Sequence, residues 1–208
     1  MKYVVAFNGP PGSGKDTAAA MAYRWLTGEG YNCYDYKMSK PLKVAINGFC
    51  RVENPEQPHE ELKKKLTPWS GPANAVTFRQ AYIDFSESYA KPLWGHDVFT
   101  RWAIAEFEDF LRANQQIVPA TVFIISDAGF KDEQDSLIDW VTPNNYAIAR
   151  MVRPGHTFAN DSRSYIYPPQ RIYQENIYND GDLRLCEDRV IRFLKSAIKA
   201  GQWTPVQP

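Results

Sequence analysis

The chain has 208 residues, 44% hydrophobic and 14% aromatic, enough for one globular domain with a sizeable core and no disulfide or metal staple. Its 24 Lys+Arg balance 24 Asp+Glu, which argues against a protein whose main work is coating nucleic acid or an anionic membrane. Cys33, Cys50 and Cys186 are far apart and match no metal spacing, no run approaches ~18 apolar residues, and the apolar stretch after Met1 is too short for a signal core; a reduced, soluble, cytoplasmic protein is expected.

In chain order, Lys2 to Phe7 is apolar and β-branched without alternation, as expected of a strand covered on both faces of a parallel sheet. The cluster Gly9-Pro10-Pro11-Gly12-Ser13-Gly14 breaks it, and Thr17 to Leu26 follows with helical spacing up to Gly28 and Gly30. Tyr31 to Met38 reads as a second strand and Pro41 to Phe49 as a short helix. Arg51 to Gly71, with Glu60-Glu61 and Lys63-Lys64-Lys65, reads as a solvated helix between turns. Helical periodicity returns in Phe78 to Tyr89 and Val98 to Ala113. Val118 to Ser126 is a strong strand, Gln134 to Trp140 a helix, and Tyr146 to Val152 another strand. Pro154 to Gln170 reads as a loop, Gln174 to Tyr178 as a last strand and Leu183 to Ala200 as a closing amphipathic helix. Strands alternating with helices predict an α/β domain with right-handed crossovers over residues 1–208. The stretches that fit the alternation worst, about 51–101 and 153–171, are read as an insert and a lid-like segment.

Gly9 to Thr17 follows a strand and opens a helix, the setting that the Walker A pattern requires. Its glycines let successive N–H groups face one concavity, and the helix N-terminus adds the positive end of its dipole. Lys15 brings a mobile positive charge to β- and γ-phosphates. Gly9, Gly12, Ser13, Gly14, Lys15, Asp16 and Thr17 are therefore the expected ATP-binding residues. The motif wants Ser or Thr directly after the lysine, and Asp16 stands there. Its carboxylate can hold magnesium through water or orient an acceptor, and it is also an acid that a helix N-terminus favours. With the alternation, this motif predicts a P-loop NTPase-type three-layer α/β/α fold with a mostly parallel central sheet, a helical acceptor-binding insert and a lid.

The segment Gly12-Ser13-Gly14-Lys15-Asp16-Thr17 resembles the phosphate loop of phage-type deoxynucleoside monophosphate kinases, within the wider nucleoside monophosphate kinase group. Further segments resemble that family in the same order: Ser39-Lys40-Pro41-Leu42-Lys43, Phe78-Arg79-Gln80, Gly95 to Arg101, and Ile125 to Glu133. The sequence departs from the family at Gly129, where the pattern has arginine. The resemblance implies an ATP-dependent phosphotransferase acting on a (deoxy)nucleoside monophosphate in nucleotide biosynthesis, with Mg2+ as cofactor. It also implies a cytoplasmic location, the host cytoplasm for a phage-encoded chain.

The rest of the expected site follows from charge. Asp127, at the end of an apolar strand, is placed to organise magnesium with Asp16 and Thr17, and is equally a strand-end residue that starts a turn. Arg150, Arg153 and Arg163 offer planar forks suited to the equatorial oxygens of a transferring phosphoryl group. Lys15, Asp16, Arg150, Arg153 and Arg163 are thus the expected catalytic set, with Asn160 to Ser164 as the lid tip and Asp161 as an anchor for Arg163. On the acceptor side the candidates are Lys43, Arg79, Phe85, Glu87, Trp94, Asp97 and Arg101, where cations meet phosphate and aromatics meet a base. His59, His96 and His156 carry no distinctive signal. The leading reading has ATP and a monophosphate nucleotide as the partners of a monomer or homodimer, with no nucleic acid and no membrane. Other readings are a P-loop kinase of another small phosphorylated metabolite, such as phosphomevalonate or a coenzyme A precursor, and a nucleotide-binding module without catalysis.

Overall fold

β1 (Lys2–Asn8) is buried from Tyr3 onward, on both faces, in a five-stranded sheet. The structure is a computed structural model that describes residues 1–53, 61–114, 120–159 and 161–205. Within it the strands β2 (Asn32–Tyr36), β3 (Thr121–Ala128), β4 (Tyr146–Val152) and β5 (Tyr173–Tyr178) join β1 in the order β2-β3-β1-β4-β5. Every pairing is parallel, so the mostly parallel sheet expected from the sequence is parallel throughout.

Side chains alternate across this sheet, and each face has its own layer. On one side Val5, Phe7, Val122, Ile124, Ala149 and Met151 pack with α1 (Lys15–Gly28) and α7 (Leu183–Gly201). Phe193 of α7 lies against Phe7 and Tyr173 there. On the other side Phe107 of α5 (Val98–Ala113) stacks on Phe123 with ring centroids 4.3 Å apart, and Trp140 of α6 (Lys131–Val141) closes on both rings. The result is the three-layer α/β/α arrangement. Gly30, with φ of 86°, lets α1 stop and turn into β2 while Leu26 accepts the N–H of Tyr31.

The chain divides into two compact units, residues 1–37 with 103–208, and residues 38–102. The second holds α2 (Lys40–Phe49), a single 3₁₀ turn at Leu62–Lys64, α3 (Phe78–Asp84) and α4 (Lys91–Trp94) around its own cluster of Leu42, Phe78, Tyr82, Ala90 and Phe99. Where a solvated helix was expected over Arg51 to Gly71, the described part contains only that 3₁₀ turn; Glu60 and His59 lie outside the described residues, as does Val118, where the third strand was expected to begin. The helix expected over Phe78 to Tyr89 instead runs on to Trp94 through a wide π turn at Phe85–Ala90, where the Lys91 N–H reaches back to the Ser86 carbonyl. Pro92 explains this, because it has no N–H and its ring would crowd the carbonyl four residues earlier.

The tight aromatic layer between α5, β3 and α6 generates a stability prediction. Phe107→Ala is expected to cost about 3–5 kcal/mol through lost burial and the cavity left behind. Denaturant unfolding of the variant checks this, and an unchanged midpoint would show that the layer does not depend on that ring.

Candidate functional site

A sheet that is parallel throughout brings all the strand ends, and the loops that follow them, to one edge. β1 ends into residues 9–14, β2 into Lys37, β3, which has Asp127 as its penultimate residue, into Gly129 and Phe130, β4 into Arg153 and β5 into Asn179. The phosphate loop leaves the central strand β1, whose connection runs to β2 at one side of the sheet while that of its neighbour β3 runs to β4 on the other, the switch point where α/β sheets hold ligands.

The loop's geometry follows from its sequence. Gly12 and Gly14 have φ of 75° and 97°, in the left-handed region that side chains resist. A Cβ on Gly12 would also meet the His156 ring, and one on Gly14 would meet the Asn179 amide. The loop's carbonyls are occupied by donors. Pro10 accepts from Lys15 Nζ at 2.9 Å, Gly12 from Arg153 Nη1 at 2.9 Å, Ser13 from Asn179 Nδ2 at 3.0 Å, and Gly14 from the Ala18 N–H at 2.9 Å. With the oxygens tied back in this way, the negative ends of the peptide dipoles are neutralised. The N-terminus of α1 carries no side-chain cap, so its positive end remains to be satisfied by an anion.

Lys15 is half-buried, and burial followed by the Arg163 charge lowers its pKa, with Asp16, Asp127 and Asp161 opposing. Such an ammonium gains when a polyanion replaces the water it has lost. Burial works against the Asp16 carboxylate, but its 2.8 Å bond to Lys37, the Lys37 charge, Ser126 and Lys15 outweigh that and hold its pKa low. Lys37 is displaced upward by the same partner, against its own desolvation. Asp35, near these groups, is displaced upward by burial and by the Asp16 and Asp127 charges, with Lys37 opposing.

The expected residues fare differently. Lys15, Asp16, Asp127, Asp161 and Arg163 interact electrostatically and so share one neighbourhood. Arg163 forks onto Asp161 through Nε at 2.8 Å and Nη2 at 2.6 Å. Asn160, the first residue of the expected lid tip, lies outside the described residues. Arg153 sits on the phosphate loop through the Gly12 carbonyl. Arg150, in contrast, is 6% exposed and bonds Asn176, Gln174 and the Ile166 carbonyl, with its guanidinium over the Tyr167 ring. Burial among these neutral partners lowers its pKa. In this arrangement it fastens the chain around 166 to the sheet rather than reaching the loop.

That fastening also changes the picture of the 153–171 segment. Asn8, fully buried at the end of β1, donates to the carbonyls of Ala128 and Ser164 and accepts the Ile166 N–H, and Gln174 donates to Pro168. Residues 164–168 are therefore strapped down. Lys37, Asn8, Asn179 and His156 were missed by the sequence reading. For Lys37, Asn8 and Asn179 the common signal is a polar residue at or directly after a strand's C-terminal end, which matters only once the strands are known to be parallel; His156 lies four residues past β4 and shares no such signal.

The acceptor candidates all lie in the second unit. Phe85 packs on that unit's core and on Tyr89. Glu87 pairs with the buried Lys91 at 2.7 Å, and Asp97 with Arg101 at 3.7 Å; Arg101 also donates to the Trp94 carbonyl. Trp94 is 47% exposed beside Tyr89, Arg79 is exposed on α3, and Lys43 is half-buried on α2.

The donor chemistry fits magnesium. Asp16 and Asp127 offer hard carboxylate oxygens near one lysine, Thr17 is exposed in the first turn of α1, and among the described residues no three His, Cys, Asp or Glu are arranged to hold a metal ion by themselves. Magnesium keeps several waters and binds through one or two carboxylates plus substrate phosphates, so a sparse set suits it.

No protein-family model matches the chain, and no curated protein matches it. Among solved structures it is similar to a sugar kinase from Janibacter sp. HTCC2649, with 12% identity over 96% of this chain and 98% of that one at a TM-score of 0.50. Looser likenesses are to an APS kinase from Mycobacterium tuberculosis, 12% identical over 93% and 97% with a TM-score of 0.44, and to a thymidylate kinase from Candida albicans, 12% identical over 99% and 97% with a TM-score of 0.42. At such identities the likeness is one of fold alone, a parallel α/β sheet with helices on both faces.

Two predictions follow from the geometry. Asn179→Ala frees the Ser13 carbonyl to face an incoming anion and is expected to weaken ATP binding by about 5- to 10-fold with the fold intact; equal affinity by calorimetry would remove Asn179 from the site. Because the folded pKa of Asp16 is depressed, its contribution to stability is present above the unfolded carboxylate value and is lost as pH falls through the folded one. Lys37→Met should raise the Asp16 titration midpoint, read from its carboxyl carbon by NMR, and an unmoved midpoint would show that the pair does not hold that charge.

Proposed function

We propose that this protein is an ATP-dependent kinase that transfers the γ-phosphoryl group to a (deoxy)nucleoside monophosphate. The observation that carries the reading is the phosphate loop, with its carbonyls tied back by Lys15, Arg153 and Asn179 and the uncapped N-terminus of α1 behind it. Such a concavity is complementary to a polyphosphate. The choice of acceptor rests on the order of segments that resemble nucleoside monophosphate kinases, and on cations and aromatics in the second unit.

In this reading the ATP triphosphate lies along residues 9–17. An oxygen of the acceptor phosphate forms a bond to the γ-phosphorus while the bond from that phosphorus to the β,γ-bridging oxygen breaks; ADP departs and the acceptor becomes a diphosphate. The acceptor phosphate is already an anion, so no side chain need remove a proton, and catalysis is positioning and charge stabilisation. Lys15 follows the charge that builds on the bridging oxygen. Arg153, resting on the loop, and Arg163, forked onto Asp161, are the guanidinium groups available to the equatorial oxygens. Asp16 and Asp127, with Thr17, would hold magnesium, which supplies positive charge to the β- and γ-phosphate oxygens when bound. Arg79 and Arg101 are the cations assigned to the acceptor phosphate, with Asp97 orienting Arg101 and Trp94 available to a base.

Lys15→Ala is expected to lower turnover by at least about a hundredfold while leaving the far-ultraviolet circular dichroism unchanged. The measurement is coupled ADP release with ATP and magnesium against a panel of each NMP and dNMP, alongside phosphorylated small metabolites. Turnover that survives Lys15→Ala would sink the scheme, and transfer to a metabolite but to no nucleotide would reassign the acceptor.

A further inference from the structure

Gly129 follows β3 directly, two residues after Asp127, and its φ lies outside the left-handed region. The backbone there does not call for glycine. Space does: a Cβ at this position would lie 2.5 Å from Cδ and 3.0 Å from Cγ of Arg163. Those atoms are the middle of the arginine stem rather than its free end. The stem has little room to yield, because its two ends are held. Behind it, Ser164 and Ile166 are bonded by the buried Asn8; ahead of it, the guanidinium forks onto Asp161, whose Oδ1 also accepts the Arg163 N–H at 3.0 Å. Arg163 and Asp161 are only 24% and 13% exposed at their side chains.

We propose that Gly129 is a positioning residue, a bare seat across which the Arg163 stem passes so that its guanidinium is delivered beside Lys15 to the anion held by the phosphate loop. The inference rests on the phosphate-loop reading and adds to it how the arginine is aimed. The electrostatics agree, since Arg163 acts on Lys15, and Asp127 acts on Arg163. Asp161 presents the same bidentate geometry as a phosphate, so it keeps the fork oriented and gives it up to a ligand carrying more charge. Any side chain at 129 displaces the stem and misdirects the fork, although it touches no ligand itself.

The experiment is a double-mutant cycle on the full chain: wild type, Gly129→Ala, Arg163→Ala and the double variant. ATP affinity with magnesium is read by calorimetry and unfolding by thermal denaturation. Gly129→Ala should weaken ATP binding about tenfold, as Arg163→Ala does, and the double variant should be no weaker than Arg163→Ala alone. A general structural defect at 129 would not vanish when the arginine is removed. The proposal is overturned by wild-type affinity in Gly129→Ala, or by an equal fold loss in both backgrounds. Should Gly129→Ala fail to fold, a cooperative transition in the double variant supports the seat, and its absence there overturns it. Lys15→Ala separates the two levels: ATP binding that depends on Lys15 with an additive cycle rejects the seat alone, whereas wild-type protein that binds no ATP rejects the phosphate-loop reading beneath it.

Discussion

Everything at the candidate site depends on the parallel hydrogen bonding of β1 to both β3 and β4. A central strand with two parallel neighbours sends its chain, and theirs, out at one edge, and the layers on either face leave that edge the open place for irregular backbone. Val4, Val5, Ala6 and Phe7 have no solvent exposure, so the strand that launches the phosphate loop is packed on both faces. The loop's shape is thereby referred to a rigid frame. Asn8, the last residue of that strand, extends the frame by one further set of bonds, to the carbonyl of Ala128 and to the chain at 164–166.

On this frame the site is organised by which backbone dipoles are answered and which are not. Donors from β4's exit, β5's exit and the loop's own lysine occupy the carbonyls of Gly12, Ser13 and Pro10, while the first turn of α1 has no cap. Removing acceptors from a concavity without removing donors makes it electropositive with few formal charges, which explains how a chain of zero net charge can carry an anion site. The formal charges that do gather there set Lys15 and Arg163 against Asp16, Asp127 and Asp161, and the three acids favour the protonated form of the lysine against its burial. Under the proposed function, a polyphosphate would enter such a network by exchanging partners, not by meeting bare charge.

The limits of sequence reading are clear in the arginines. Arg150, Arg153 and Arg163 look equivalent on the line of letters, each a basic residue near the end of β4 or soon after it. Their fates differ because a strand alternates and a loop does not. Arg150 falls within β4, paired in register with Asn8, and its guanidinium is buried among Asn176, Gln174 and Ile166. Arg153 falls just past the strand and lies on the loop. Arg163 reaches the neighbourhood of Lys15 only because the chain after it is strapped to β1 and because position 129 has no side chain. The π turn at Phe85–Ala90 shows the opposite case, a departure from regular helix whose cause, Pro92, was written in the sequence all along.

What the sequence determined by itself was local: a strand apolar on both faces, a glycine loop ending in Lys15, an Ala-rich helix, and alternation enough for an α/β sheet. These follow from near-neighbour sterics and the periodicity of burial, which act within a few residues. Tertiary structure alone decided the strand order, and with it the meeting of Lys37 with Asp16, of Asn179 with Ser13 and of Arg163 with Gly129. Those contacts join residues brought together by sheet pairing and layer packing, and no pattern along the chain records the distance between two loops that leave different strands.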